Sequence, residues 1–330
     1  MPRSNSEILV MAGDQPWKDQ TKTIFEEIAH EQFSVFYATS LSNAFSILSK
    51  NLIELMILYS SSSINDDSTA LELIFQKYPD LAVIVIMPKE DKNLGVNFVY
   101  MGVQEVLYEK PLTQEILIHT IQYSIARSRT NFERTRKEKS DLNAALTSTL
   151  ECWSRGFEMR EIEANGHAAR VTAQTVALAR AFGLMGEHLE EIQRGALLHD
   201  VGKMGILDEI LFKKCDLSEE DWQVIKQHPQ NAVNLLSSVE KLKKSLDIPY
   251  SHHEHWDGSG YPRGLKGEQI PLAARMFAVV DTWDALLTKR PYRMAWRKQD
   301  AIQYLREKAG SQFDPAVVEK FLGQLEKGDI

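Results

Sequence analysis

The sequence predicts a doubly wound α/β domain with a five-stranded parallel sheet, then a long connecting helix, then a second domain that carries the chemistry. Three observations lead there. Strand-like and helix-like segments alternate over the first part of the chain, the pattern of a parallel sheet covered by helices. Residues 81–87 form an aliphatic run of seven, as expected of a strand buried on both faces. Between Thr113 and Arg160 there is no proline, and no glycine before Gly156, so nothing interrupts a helix. A length of 330 residues fits about two domains.

The elements follow in order. Residues 7–11 read as the first strand, ending at Ala12-Gly13-Asp14, with a helical pattern over 21–29. Residues 33–37 read as the second strand and 42–49 as a helix. The third strand spans 52–59, a helix covers 69–77, the fourth strand is 81–87 and the fifth is 105–108. The stretch 127–141 is dense in Arg, Lys and Glu, which reads as a partly solvated connecting helix. Leu142, Leu146 and Leu150 are spaced by four and form a seam, either between two copies of the chain or against its own second domain. A homodimer through the first domain or the connecting helix is the expectation.

Composition narrows the function classes. The chain is 43% hydrophobic and 25% charged, as in soluble globular proteins. Its formal net charge of −8 disfavours a general binder of nucleic-acid polymers. Two cysteines, Cys152 and Cys215, cannot make a disulfide scaffold and fit a reducing cytoplasm. The longest apolar run is seven residues, against about twenty for a membrane helix. No signal peptide is recognisable at the start.

Histidines give the first chemical signal. Seven of the nine lie between His167 and His255, where an even spread would put about two. Imidazole is a common ligand for iron and zinc, so clustering points to metal. Arg194-Gly195-Ala196-Leu197-Leu198-His199-Asp200-Val201-Gly202-Lys203 reads as an apolar helix ending in a His-Asp pair and a glycine stop. Adjacent residues at a helix end point about 100° apart and can bracket an ion. The stretch His252-His253-Glu254-His255-Trp256-Asp257-Gly258-Ser259-Gly260-Tyr261-Pro262 joins paired histidines to a turn-rich loop.

Two resemblances follow from these residues. Gly102-Val103-Gln104-Glu105-Val106-Leu107-Tyr108-Glu109-Lys110-Pro111 resembles the end of a response-regulator receiver domain. Tyr59 stands where that family carries its phosphorylated aspartate, Met87 where a serine or threonine is expected, and Asp14 alone remains of an acidic pair. A tyrosine cannot make an acyl phosphate, so 1–125 reads as a pseudo-receiver that acetyl phosphate leaves unmodified. Lys110 alone reads as structural. The motifs at 199–203 and 252–262, with Arg290-Pro291-Tyr292-Arg293 and Phe313-Asp314-Pro315, resemble the HD-GYP phosphodiesterase family.

That second resemblance implies an all-α domain over 154–330, after a connecting helix over 126–153. It also implies two or three divalent metal ions and hydrolysis of cyclic di-GMP. The implied two-metal core is His199, Asp200, His228, His252, His253 and Asp281, with Asp200 bridging. Glu163 and His167 match the additional positions of three-metal members. Nitrogen and carboxylate donors without sulfur suit iron or manganese.

The chemistry expected is attack by a metal-bridging hydroxide, giving pGpG and further GMP. Lys203 would stabilise the phosphate or the nucleophile. Arg290 and Arg293 match phosphate contacts. Tyr261 would stack on guanine or bond near the phosphate. Asp284 would contact the ligand or orient a metal-bound histidine. His188 and His255 read as non-ligands. Glu161-Ile162 replaces the family's usual Asp-Pro, and Cys215-Asp216 replaces a Pro-Gly type turn. Two rivals remain: a slow cyclic di-GMP-binding module acting through protein partners, and an HD-type hydrolase of another nucleotide.

Overall fold

The computed structural model describes residues 6–12, 23–25, 28, 33–60, 64–88, 91–110, 112–160, 166–213, 216–289 and 294–330. The chain divides into two compact units, Met1–Asp141 and Leu142–Ile330.

The first unit holds strands β1 (Ser6–Ala12), β2 (Phe33–Ala38), β3 (Leu55–Tyr59), β4 (Ala82–Met87) and β5 (Glu105–Tyr108). They pair in the order β2-β1-β3-β4-β5, and every pairing is parallel. Period-two alternation splits each central strand between two cores. Ile8, Val10, Ile57 and Ile84 face one side, where Leu117, Ile121 and Ile125 cover them. Leu9, Met56, Leu58 and Val85 face the other, with Ala44, Leu71 and Phe98. Those three belong to α1 (Leu41–Leu48), α2 (Ile64–Lys77) and α3 (Lys92–Tyr100). Helices on both faces make the sheet doubly wound, as expected.

Boundaries differ where burial differs. β3 begins at Leu55, not 52, because Leu52 is 88% exposed and has no core to enter. α2 starts five residues before the expected helix. The expected helix over 21–29 is described only at 23–25 and 28, which are helical. Asp14 lies outside the described residues. Tyr59 ends β3, and its hydroxyl donates to Glu109 Oε1 at 3.0 Å. Burial and this carboxylate push the phenol up to about 12. Lys110 is exposed.

Helix α4 (Gln114–Arg160) runs 47 residues, longer at both ends than the connecting segment expected over 126–153. The boundary between the units falls within it. Of the two partners expected for the leucine seam, the chain's own second domain is the one seen. Leu150 is 2% exposed and, with Leu146, packs on Leu197, Leu198 and Val201 of the same chain, while Leu142 stays 61% exposed. Two of three seam residues are therefore committed internally.

In the second unit the described elements are helical, apart from one isolated bridge between Ala309 and Phe313. They are α5 (His167–Ala181), α6 (Glu187–Leu197), α7 (Asp208–Leu211), α8 (Glu219–Ile225), α9 (His228–Leu236), α10 (Asp247–Ser251), α11 (Leu272–Leu287), α12 (Lys298–Lys308) and α13 (Pro315–Lys327). Short 3-10 turns span Val201–Gly205, Glu240–Ser245 and Gly267–Gln269. Val171, Leu178, Met276, Phe277, Trp283 and Phe321 centre the core between α5, α11 and α13. That core fixes the helices whose ends carry the histidines.

Candidate metal centre

The histidines and Asp200 sit at or beside helix ends, and Asp281 and Asp284 lie in the C-terminal half of α11. His167 opens α5. Glu158 of α4 caps this helix, accepting from Ala168 N at 2.6 Å and Gly166 N at 3.1 Å. His199 and Asp200 follow α6 and lead into the 3-10 turn Val201–Gly205. His228 opens α9, with Pro229 preset for the first helical turn. His252 caps the C-terminal end of α10, and His253 follows. Asp281 and Asp284 lie one turn apart on α11 and share a face.

Two close backbone approaches bring these ends together. A Cβ on Gly202 would lie 1.8 Å from His228 O, so only glycine lets the 3-10 turn meet α9. A Cβ on Gly260 would lie 2.2 Å from His255 N. Glu254 ties the same loop down, its two oxygens accepting from Arg263 N at 2.8 Å and Leu265 N at 2.9 Å.

Two clusters of donor atoms result. Asp200, His228, His252 and His253 form one; His167, His199 and Asp281 form the other. Within each, one ligand atom per residue lies within 4.8 Å of the rest. The clusters meet at the adjacent pair His199–Asp200. Asp200 Oδ2 is 3.1 Å from His199 Nε2, and Oδ1 faces His228 Nε2 at 3.5 Å and His252 Nε2 at 3.8 Å. Lys203 Nζ donates to Asp200 Oδ2 at 2.7 Å.

These residues fit divalent ions on three counts. His199, His228 and His252 each place Nδ1 on a backbone carbonyl, of Ala196 at 2.9 Å, Ile225 at 2.7 Å and Ile248 at 3.0 Å. A carbonyl only accepts, so Nδ1 carries the proton; in the neutral rings of His228 and His252 Nε2 then presents its lone pair, whereas His199, raised by the neighbouring Asp200, also keeps on Nε2 a proton that an ion would displace. His228 Nε2 and His252 Nε2 then face each other at 3.3 Å as two acceptors. Beside them Asp200 Oδ1 is buried and accepts no hydrogen bond. Lone pairs and an orphaned carboxylate oxygen converging on one place are relieved by a cation.

Electrostatics agree. Burial pushes His252 down to about 3 and lowers His228 and His253, keeping these rings neutral and able to ligate. Burial alone would raise Asp200, but Lys203 and His199 hold it well below the usual carboxylate range. Burial opposes a charge on His167, yet hydrogen bonds to Asp281 and Asp284 push it up to about 10. The proton on its Nε2, which lies 3.2 Å from Asp281 Oδ1, is the one that an ion would displace.

Among the expected site residues, seven are brought together: His167, His199, Asp200, His228, His252, His253 and Asp281. Glu163, Arg290 and Arg293 lie outside the described residues, as does Cys215. Tyr261 stands at the edge, its ring stacked on His253 with centroids 4.7 Å apart. Of the two roles expected for Asp284, the geometry matches the orienting of a histidine. Asp284 is 6% exposed, and its oxygens take His167 Nδ1 at 2.7 Å and the fork of Arg170 at 2.7 and 2.9 Å, so it faces protein rather than a ligand. His188 pairs with Glu191 on the surface, and His255 Nδ1 meets Ser259 Oγ at 3.0 Å; neither joins a cluster.

Sequence reasoning missed Arg170 and Glu158. The spacing of three between His167 and Arg170, matched by that between Asp281 and Asp284, is the signal that would have found the first. Glu158 carries no such signal, since a cap reached across a loop has no local spacing.

The comparisons agree with this geometry. Residues 153–317 match the model of the HD domain. The chain is 32% identical over 270 residues to a "Cyclic di-GMP phosphodiesterase" of Thermotoga maritima, covering 76% of this chain and 73% of that protein. It is 40% identical over 192 residues to "Cyclic di-GMP phosphodiesterase response regulator RpfG" of Xanthomonas campestris pv. campestris, covering 58% of this chain and 51% of that protein. It is 30% identical over 239 residues to "3'3'-cGAMP-specific phosphodiesterase 2" of Vibrio cholerae, covering 71% and 44% respectively. The chain thus spans about half the length, or less, of the second and third. Both the matched span and the helix-end histidines place this chain in the HD-domain family.

Proposed function

We propose that the chain is a metal-dependent phosphodiesterase that opens cyclic di-GMP to pGpG, and further to GMP, in bacterial second-messenger signalling. The observation that carries the reading is the convergence of His228 Nε2, His252 Nε2 and the orphaned Asp200 Oδ1 beside a second donor cluster. The names of the relatives supply the substrate class. Bound divalent ions would offset the charge of the phosphodiester and lower the pKa of water to about 7.

The protein's own groups do the rest. His228, His252 and His253 would hold one ion with Asp200, and His167, His199 and Asp281 a second. Asp200 could serve both, since each of its oxygens faces a different cluster. Glu163, which the family resemblance groups with His167, would serve a third ion. Iron or manganese suits this sulfur-free set. Lys203, kept at the centre by Asp200, offers its ammonium to the developing phosphate charge. Tyr261 provides a flat face for guanine, and Arg290 and Arg293 grip phosphate oxygens.

Anaerobic purification, elemental analysis and a nucleotide panel in one sample test this reading. Two or three iron or manganese ions per chain with pGpG or GMP as product support it. Full metal with tight binding and no product identifies a signalling module instead. Turnover of 3'3'-cGAMP in preference to cyclic di-GMP transfers the assignment to that substrate.

A further inference from the structure

We propose that Arg170 is a positioning residue for the metal centre. Through Asp284 it fixes the ring of His167, and without it the His167–His199–Asp281 cluster loses its ion while the Asp200–His228–His252–His253 cluster keeps its own. This deepens the metal-dependent reading above and rests on it.

The inference starts from a difference among the histidines. His199, His228 and His252 are anchored through Nδ1 to backbone carbonyls of their own helix ends or of the preceding turn. Their rings are aimed by the fold of the backbone. His167 is aimed by a side chain instead, Asp284 Oδ2 at 2.7 Å. Asp284 lies 117 residues away in sequence, on α11.

A carboxylate can rotate, so it orients a ring only if something orients it. Arg170, one turn after His167 on α5, does so. Its Nε donates to Asp284 Oδ1 at 2.7 Å and its Nη2 to Oδ2 at 2.9 Å. This fork-on-fork pairing fixes the carboxylate plane as well as its position. The Thr288 hydroxyl, 3.4 Å from Oδ2, adds a weaker contact. The chain of contacts is thus guanidinium to carboxylate to imidazole, ending at His167 Nε2, 3.2 Å from Asp281 Oδ1.

Losing the guanidinium leaves a nearly buried carboxylate short of its main partner. Such a group turns toward other donors and water, and the ring it held is released. Loss of an outer partner of this kind weakens metal binding by about 10–100-fold. The effect is selective, because no residue of the Asp200–His228–His252–His253 cluster depends on Asp284 for its orientation.

The test uses the full chain. Metal-free wild type, Arg170→Ala and Asp284→Ala are titrated with Mn²⁺ by calorimetry, and retained metal is measured after desalting. The Arg170 side chain is 41% exposed, so its place is open to a guanidinium ion from solution. Arg170→Ala is expected to retain one ion fewer than wild type and to bind it about 10–100-fold more weakly. Guanidinium chloride below its denaturing range is expected to restore that ion in Arg170→Ala but not in Asp284→Ala, where the anchor itself is gone.

Wild-type stoichiometry and affinity in Arg170→Ala overturn the proposal. Loss of every ion together, or a loss that guanidinium does not restore, overturns it too, since general damage would act that way. A wild type that binds no Mn²⁺ instead removes the metal-dependent reading itself.

Discussion

Substituting Gly202 by alanine bears directly on how the metal centre is built. The new Cβ would sit 1.8 Å from His228 O and 2.7 Å from Ala232 N, both backbone atoms that cannot swing aside. To reach 3.0 Å, the closest approach that real Cβ atoms tolerate, the 3-10 turn and α9 must part by about 1.2 Å. Asp200 rides on one side of that contact and His228 on the other. Directed along their line, the parting carries Oδ1···Nε2 from 3.5 Å toward about 4.7 Å. That lengthening draws two donors of one cluster apart and is expected to weaken their hold on a shared ion. Overpacking of this severity costs about 3 kcal/mol, or about 6–12 °C in Tm for a domain of this size. The assay is a pair of melting curves, metal-loaded and metal-free, with elemental analysis of each sample. Gly323→Ala is the control: it lies within α13 with no heavy atom within 4 Å of its Cβ, and it is expected to leave Tm unchanged or slightly raised. A Gly202→Ala protein with the wild-type Tm and metal content would refute the reasoning.

Four further outcomes are expected. Glu254→Gln keeps one acceptor for Arg263 N or Leu265 N and turns an NH₂ on the other, which lowers stability by about 1–3 kcal/mol in denaturant titration. His252→Ala lowers retained metal and brings phosphodiester hydrolysis to background, read by elemental analysis and nucleotide chromatography. Tyr59→Phe removes the bond to Glu109 and costs about 0.5–1.5 kcal/mol in the first unit, with metal content unchanged. Incubation of wild type with acetyl phosphate leaves the intact mass unaltered, because the acceptor position carries a phenol; a stoichiometric phosphoryl adduct contradicts this.

The parallel sheet was legible because burial on both faces writes itself as continuous aliphatic runs, clearest in β4. Helix α3 was not assigned from the sequence. Its Gly95 and Asn97 weaken the local signal, and a Cβ at Gly95 would lie 3.2 Å from Tyr108 Oη. The leucine seam was legible as an apolar stripe, but a stripe does not state its partner, and Leu197 and Leu198 took that place. The metal residues could be read because glycine stops and paired histidines mark helix ends locally. The alignment of Asp284 could not, since its partner Arg170 is 114 residues distant and only packing of α5 on α11 joins them.

The way the histidine rings are anchored also decides how freely the surrounding sequence can drift. Every amino acid owns a carbonyl, so a substitution at Ala196, Ile225 or Ile248 still leaves an acceptor for the Nδ1 proton of His199, His228 or His252. Those three rings are shielded from point mutation in their supports. His167 is not, because its acceptor is a carboxylate that only Asp284 supplies in that position. Random substitution outside the ligands can therefore detune one corner of the centre while the opposite corner stays fixed.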